Sequence, residues 1–191
     1  MLFSLLQNLR KMENLIKKLH ATIDQPEIEK IFLEIAKHLM NELCINAGGE
    51  MYRITECEFY YDNGSTHKDP YIYPSEDNIK YYGKDQQKEK LCWFFHAVGI
   101  DLTIGDGNLI RGGILIRGIE GNGYTSNRVI KLTDHIFNFG NNDAINGFLI
   151  KLESCKSGRK NHEVKQTKRI GLKENIDVAF YNKEYRYFIS R

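Results

Sequence analysis

No stretch of the chain approaches the roughly 18 consecutive apolar residues that a membrane-spanning helix needs. The opening, MLFSLLQNLRK, is apolar before it is basic, and no small-residue cleavage site follows, so it does not read as a secretory signal. A cytoplasmic protein is the expectation. Cysteine is sparse: Cys44, Cys57, Cys92 and Cys155 form no CxxC pair. That spacing argues against a zinc site, and with no export signal the four are expected as free thiols. His135 and His162 have no partners at metal-ligand spacing. Neither GxxxxGK[ST] nor GxGxxG occurs, so the glycines of IGDGNLIRGG (104–113) read as tight turns rather than a phosphate loop. There is no internal repeat. The formal net charge is only +2, which excludes a strong whole-molecule electrostatic binder.

What is present fits a folded domain. Apolar residues make up 41% and charged residues 27%, too much apolar content and too little net charge for disorder. The length suits one core, or at most two small domains. Charge is uneven along the chain. Residues 151–173 carry eight Lys or Arg against Glu153 and Glu163. This segment is either a contact for a phosphate backbone or a solvated basic hairpin.

Periodicity divides the chain. Leu5, Leu6, Leu9, Met12, Leu15, Ile16 and Leu19 have helical spacing, as do Ile28, Ile31, Phe32, Ile35, Ala36, Leu39, Met40 and Leu43. Asp24 caps the second of these helices and Pro26 fits its first turn. After Gly48 and Gly49 the period becomes that of a strand. In MYRITECEFYY strict alternation puts Glu56 and Glu58 on one face with Tyr52, Ile54 and Tyr60. Residues 61–90 form a long polar connection of little periodicity. An apolar strand or hairpin covers 91–104, and another buried strand covers 112–120. A short helix is expected near 128–137, strands near 147–153, 164–170 and 184–190, and a turn or short helix at 172–180. The fold class is α+β: helices first, then a mostly antiparallel sheet curling into a partial barrel.

Glu58 draws chemical interest because carboxylates rarely sit beside apolar and aromatic groups on a strand without a partner. Burial raises a carboxyl pKa and nearby donors lower it; in its ionised form such a group takes a proton from water. Tyr60 shares its face, and His67 lies in the loop that follows. Arg117 is a lone cation in an otherwise apolar strand, so it must reach a sheet edge or meet a carboxylate. Together these side chains suit a pocket for a flat polar group. Tyr71, Tyr73, Tyr81 and Tyr82 either stack on bases or pack the loop onto the body. GSTHKD (64–69) is no nucleophilic triad, since triads assemble in space, and His96 is either a second pocket group or a satisfied core histidine, the core reading being the commoner on an apolar strand.

In order along the chain, IAKHLMNEL (35–43), RITECEFY (53–60), His67, WFFHAVGIDLTI, GGILIRGIE, RIGL (169–172) and YRYFI (185–189) resemble the motifs of the 3-methyladenine DNA glycosylases of the alkyladenine, or methylpurine, type. The resemblance spans about 35–190, which leaves 1–34 as a helical extension before a glycosylase-like domain over 35–191. It implies a monofunctional enzyme that flips alkylated or deaminated purines out of double-stranded DNA and hydrolyses the N-glycosidic bond. Glu58 matches the base that activates water, and Arg117 an arginine beside it. Tyr60, His67 and Trp93 match groups that hold the base; Asp101 or Leu102 falls where the family has a pocket asparagine. Phe95 falls where the family inserts a wedge. Lys165, Lys168 and Arg169 are the candidate phosphate contacts. No metal, organic cofactor, membrane or obligate protein partner is implied, and a monomer is expected. The interval KDPYIYPSEDNIKYYGKDQQKEK lacks the family's R-N-x-x-M-F-like run. Two alternatives are a catalytically silent relative that binds nucleic acid or a nucleotide, and an N-glycoside hydrolase acting on free nucleosides.

Overall fold

The structure, a computed structural model, describes residues 2–96, 99–140, 150–155 and 161–190. Helices α1 (Leu2–His20) and α2 (Gln25–Asn41) come first. The Asp24 carboxylate caps α2 by accepting from the Glu27 N–H, and Pro26 occupies the first turn, where its missing N–H costs nothing. Ile28, Ile31, Phe32, Ile35 and Leu39 make one buried face of α2. Met12, Ile16 and Leu19 of α1 join the same buried cluster as the sheet residues. The boundary expected after residue 34 therefore falls inside α2, and both helices share one core with the sheet.

Strand β1 (Leu43–Ala47) turns through Gly48 and Gly49, both at positive φ, into the long β2 (Glu50–Asp62). The connection after β2 is more ordered than its composition suggests: it holds α3 (Ser75–Tyr82) and a 3-10 turn at 86–88. Strands β3 (Lys90–His96), β4 (Gly99–Ile104), β5 (Arg111–Gly121) and β6 (Tyr124–Ser126) follow. The remainder is α4 (Val129–Gly140), β7 (Ile150–Ser154), β8 (Val164–Thr167), α5 (Val178–Tyr181) and β9 (Arg186–Ile189). The described strands form one curled antiparallel sheet in the order β3-β4-β5-β2-β1-β7. β6 adds to β5, and β9 pairs β2 and carries β8. β2 is the hub. One edge pairs β5 from Arg53 to Asp62; the other pairs β1 through Glu50–Arg53 and then β9 through Glu56–Glu58.

The helices cover one face of this sheet. Phe32 is a buried aromatic anchor of α2, stacked on Phe59 at 4.6 Å and edge-on to Tyr61, His67 and Tyr185.

Strict alternation fails inside β2. The buried cluster contains Tyr52 and Ile54 and also Cys57, Phe59 and Tyr61, so parity shifts between Ile54 and Cys57. The register shows why: β2 has an extra residue at Thr55, and β5 has an extra residue at Arg117. Tyr52 and Ile54 thus face the helices, not the glutamates. Thr55, Glu56, Glu58 and Tyr60 face the other way. Gly118 permits the paired bulges, because a Cβ there would lie 2.6 Å from Thr55 Oγ1 and 3.0 Å from Glu56 Cβ. Gly118→Ala should cost about 1–3 kcal/mol through this overpacking. The shift in the urea unfolding midpoint measures it, and an unchanged midpoint would mean that the bulge relaxes freely.

Cys44 and Cys155 are joined as a disulfide, which corrects the expectation of four free thiols. Periodicity could not reveal the pair, because pairing β1 with β7 brings together residues 111 apart in sequence. Cys57 and Cys92 are free thiols. Closing so long a loop stabilises a fold by roughly 2–4 kcal/mol. Dithiothreitol should lower the unfolding midpoint of the native protein accordingly, and should leave that of a Cys44→Ala/Cys155→Ala double variant unchanged. Equal midpoints for the native protein with and without reductant would show that the bond adds nothing. Among the described residues, no helix is long and apolar enough to cross a membrane.

Candidate functional site

Residues paired in register on antiparallel strands share a face of the sheet. One such row crosses five strands: Phe94 on β3, Asp101 on β4, Leu115 on β5, Glu58 on β2 and Arg186 on β9. The adjacent row runs Thr103, Gly113, Tyr60. This face lies opposite the helix-packed core, and it gathers the ionisable side chains.

Glu58 sits at its centre with no exposed surface. Its Oε2 accepts from the Tyr60 hydroxyl at 2.9 Å and from Arg117 Nη1 at 3.2 Å. Its Oε1 accepts from the Ile170 backbone N–H at 2.8 Å. Burial lifts the Glu58 carboxyl above its ordinary pKa of 4.5; Arg117, the Ile170 N–H, the Tyr60 hydroxyl and Arg169 pull the other way without cancelling the rise. The Tyr60 phenol is likewise held far above its usual value, by burial first and by the Glu58 charge next.

Arg117 meets two carboxylates, as a lone cation in an apolar strand must. Besides Glu58 it donates through Nε to Glu56 Oε1 at 3.2 Å, and Arg186 Nε donates to the same oxygen at 2.7 Å. Two acids and two guanidiniums therefore alternate along the sheet, and this alternation makes their burial tolerable. The Glu56 end opens on a cleft of about 400 Å³ lined by Thr55, Ser126, Asn127, Phe188 and Ser190.

The strand order predicts some of the expected groups and misplaces others. Tyr60 joins Glu58 and Arg117. His67 does not. It lies fully buried among Phe32, Tyr61, Phe180 and Tyr185, with Nδ1 2.7 Å from Gln25 Oε1. Gln25 Nε2 already donates to Glu29 and Tyr185, so its oxygen accepts and His67 Nδ1 carries the proton. Burial, with Arg169 and Lys183 adding repulsion, pushes the His67 pKa down to about 4, and the ring is neutral. Trp93 and Phe95 are in register with Leu102 and Ile100, both core residues, so they lean on the helix side. Phe95 packs near Phe137 of α4, with ring centroids 6.1 Å apart. The neighbours one position along, Phe94 and His96, occupy the Glu58 face instead. A single-residue step exchanges faces along a strand, so an apolar run such as LCWFFH cannot show by periodicity which set is which.

The three basic candidates also separate. Lys165 is exposed, with Glu163 at 3.9 Å. Lys168 is exposed and donates to Asn182 Oδ1, its ammonium 5.7 Å from the Tyr181 ring centre. Arg169, expected at phosphate, is enclosed. It forms a two-pronged pair with Asp69, donates to the Phe59 carbonyl at 3.0 Å, and lies over the rings of Tyr60 (4.6 Å), Tyr71 (5.3 Å) and Tyr185 (5.4 Å). A guanidinium so placed anchors the segment that presents the Ile170 N–H to Glu58. Lys156, Arg159 and Lys160 of the basic run lie outside the described residues.

Of the loop tyrosines, Tyr73 and Tyr82 pack around Phe94, at 6.2 and 4.9 Å between ring centroids, and the Tyr71 hydroxyl donates to the Lys173 carbonyl. Tyr81 is exposed. Asp85 pins the loop by accepting from Arg111 and Ser75 at 2.6 Å each.

Sequence reasoning favoured a core role for His96 and left Asp101 as one of two options. His96 Nε2 lies 3.1 Å from Asp101 Oδ1, and both side chains are more than nine-tenths buried. Asp101 lies on the row of Glu58, two strand spacings away, or about 10 Å between backbones. Among the described residues, no group of three or more His, Cys, Asp or Glu side chains gathers to hold a metal ion. Compared with known proteins, the chain matches no family model and no curated sequence.

Proposed function

We propose that the protein is a DNA glycosylase that hydrolyses the N-glycosidic bond of modified purines in double-stranded DNA, with Glu58 as the general base. The observation that carries this reading is a buried carboxylate of raised pKa, held by an arginine and a tyrosine on the sheet face opposite α1 and α2. The bond between C1′ and the base nitrogen breaks with its electron pair leaving on the base. Water oxygen bonds to C1′ and gives its proton to Glu58. Arg117 holds the carboxylate in position and favours its ionised form. Among the described residues, no lysine stands beside Glu58 on this face to form an imine, so base release without strand cleavage is the expected outcome.

Glu58 has no exposed surface and the Ile170 N–H lies against Oε1, so a reacting water requires the segment bearing Ile170 to withdraw. The complete enclosure of Glu58 favours a second reading, a catalytically silent relative that binds nucleic acid or a nucleotide. Base release from duplexes containing 3-methyladenine, 7-methylguanine, hypoxanthine or ethenoadenine decides between them. Release by the native protein, lost in Glu58→Gln, supports the enzyme. Duplex binding with no release from any lesion supports the silent relative.

A further inference from the structure

At the far end of the acid and guanidinium row from Glu58, the Glu56 carboxylate is only half used. Its Oε1 accepts from both Arg117 Nε and Arg186 Nε, while Oε2 makes no hydrogen bond to any described residue. Unlike Glu58, Glu56 borders open space: it lines the cleft of about 400 Å³. That volume lies within the range of small-molecule sites. Phe188 is in register with Glu56 across β9 and β2, so it shares the face of the carboxylate and gives the cleft an apolar side. The Arg186 guanidinium covers the same ring, 5.6 Å from its centre. Thr55, Thr125, Asn127 and Ser190 complete the lining used here, and none of their side chains makes a hydrogen bond to another described residue.

We propose that this cleft binds a neutral saccharide, one sugar ring held by its hydroxyls. Charge decides first. Glu56 is already matched by Arg186 and by the Arg117 that it shares with Glu58. Lys165, beside Phe188 across β8 and β9, has Glu163 at 3.9 Å. A cationic ligand at Oε2 would meet the two guanidiniums that hold Glu56, and an anionic one would meet the carboxylate itself. The hydrogen-bonding groups decide next. Oε2 only accepts, whereas the hydroxyls of Thr55, Thr125 and Ser190 and the Asn127 amide both donate and accept. Sugar hydroxyls do both as well, so they donate to Oε2 and pair with the remaining groups in either sense. A planar base has fixed donors and acceptors and two apolar faces, and this cleft offers a single aromatic side. A sugar ring turns a C–H face to Phe188 and keeps its hydroxyls at the rim. The site does not depend on hydrolysis at Glu58.

The test is saturation-transfer NMR on the full chain with glucose, mannose, galactose and ribose, beside glucosamine and glucuronate as the cationic and anionic counterparts of glucose. At least one neutral sugar should bind at millimolar concentration, more strongly than either charged counterpart. Glu56→Gln removes the charged acceptor and should weaken that sugar about tenfold or more. Asn127→Ala lies at an exposed position outside the acid and guanidinium row. It should weaken the same sugar about two- to tenfold, and it keeps the proposal testable if Glu56→Gln does not fold. No signal from any neutral sugar, stronger binding of glucosamine or glucuronate, or an unchanged affinity in folded Asn127→Ala and Glu56→Gln would each overturn the proposal.

Discussion

Glu58→Gln should reduce base release from a lesion-bearing duplex by about 10²–10⁴-fold, the contribution usual for a positioned general base. Duplex affinity should stay within a few-fold, because the amide keeps the shape and still accepts through one oxygen. The pH dependence gives a second signature. The base works only when ionised, and burial raises the Glu58 pKa above 4.5. The rate of the native protein should therefore rise with pH along an acid limb centred above 4.5, and that limb should be absent from the residual rate of Glu58→Gln. The same shift has a stability consequence of fixed sign. A carboxyl with a raised folded pKa favours the fold most below its unfolded value, and that contribution is lost as pH rises through the folded pKa. Glu58→Gln should thus be relatively more stable than the native protein at neutral pH than in acid. Single-turnover base release and urea unfolding across pH measure the two effects. Parallel loss of release and duplex binding would assign Glu58 a structural role.

The helices and most strands were legible in the sequence, because amphipathic spacing and capping are local. Asp24 and Pro26 mark the start of α2 correctly. The pairing of Arg117 with carboxylates was legible too, since a buried guanidinium has few alternatives. Three features were not. The bulges at Thr55 and Arg117 depend on two strands slipping together, and one strand's pattern does not record its partner. The facing of Phe94 and His96 rather than Trp93 and Phe95 depends on register within a run apolar on both parities. The placement of His67 depends on α2, since Gln25 and Phe32 claim the ring that the loop alone seemed to offer the site. Arg169 shows the same limit for charge: counted within a basic run, it read as a surface contact. Asp69, 100 residues earlier, takes it into the interior.

The Asp69–Arg169 pair sets the largest stability effect expected of a single substitution. Both side chains are fully enclosed, so removing either partner leaves an uncompensated group inside the fold, at a cost of about 3–5 kcal/mol. The two substitutions should differ in their response to pH. Asp69→Asn strands a guanidinium that stays charged at any working pH, so its cost should be nearly constant. Arg169→Met strands a carboxylate that escapes by taking a proton. Burial already pushes the Asp69 pKa up, and loss of Arg169 removes its strongest opposing partner. The Arg169→Met penalty should therefore be full at neutral pH and shrink as pH falls through the raised folded value. The double variant Asp69→Asn/Arg169→Met should cost less than the sum of the two, since neither charge remains. Urea unfolding at pH 7 and pH 5 separates these outcomes. Because Arg169 also anchors the segment bearing the Ile170 N–H, folded Arg169→Met should loosen that segment over Glu58. A single-variant cost below about 1 kcal/mol would mean that water already reaches this pair. The segment over Glu58 would then be open without any substitution, and the base would be free to act.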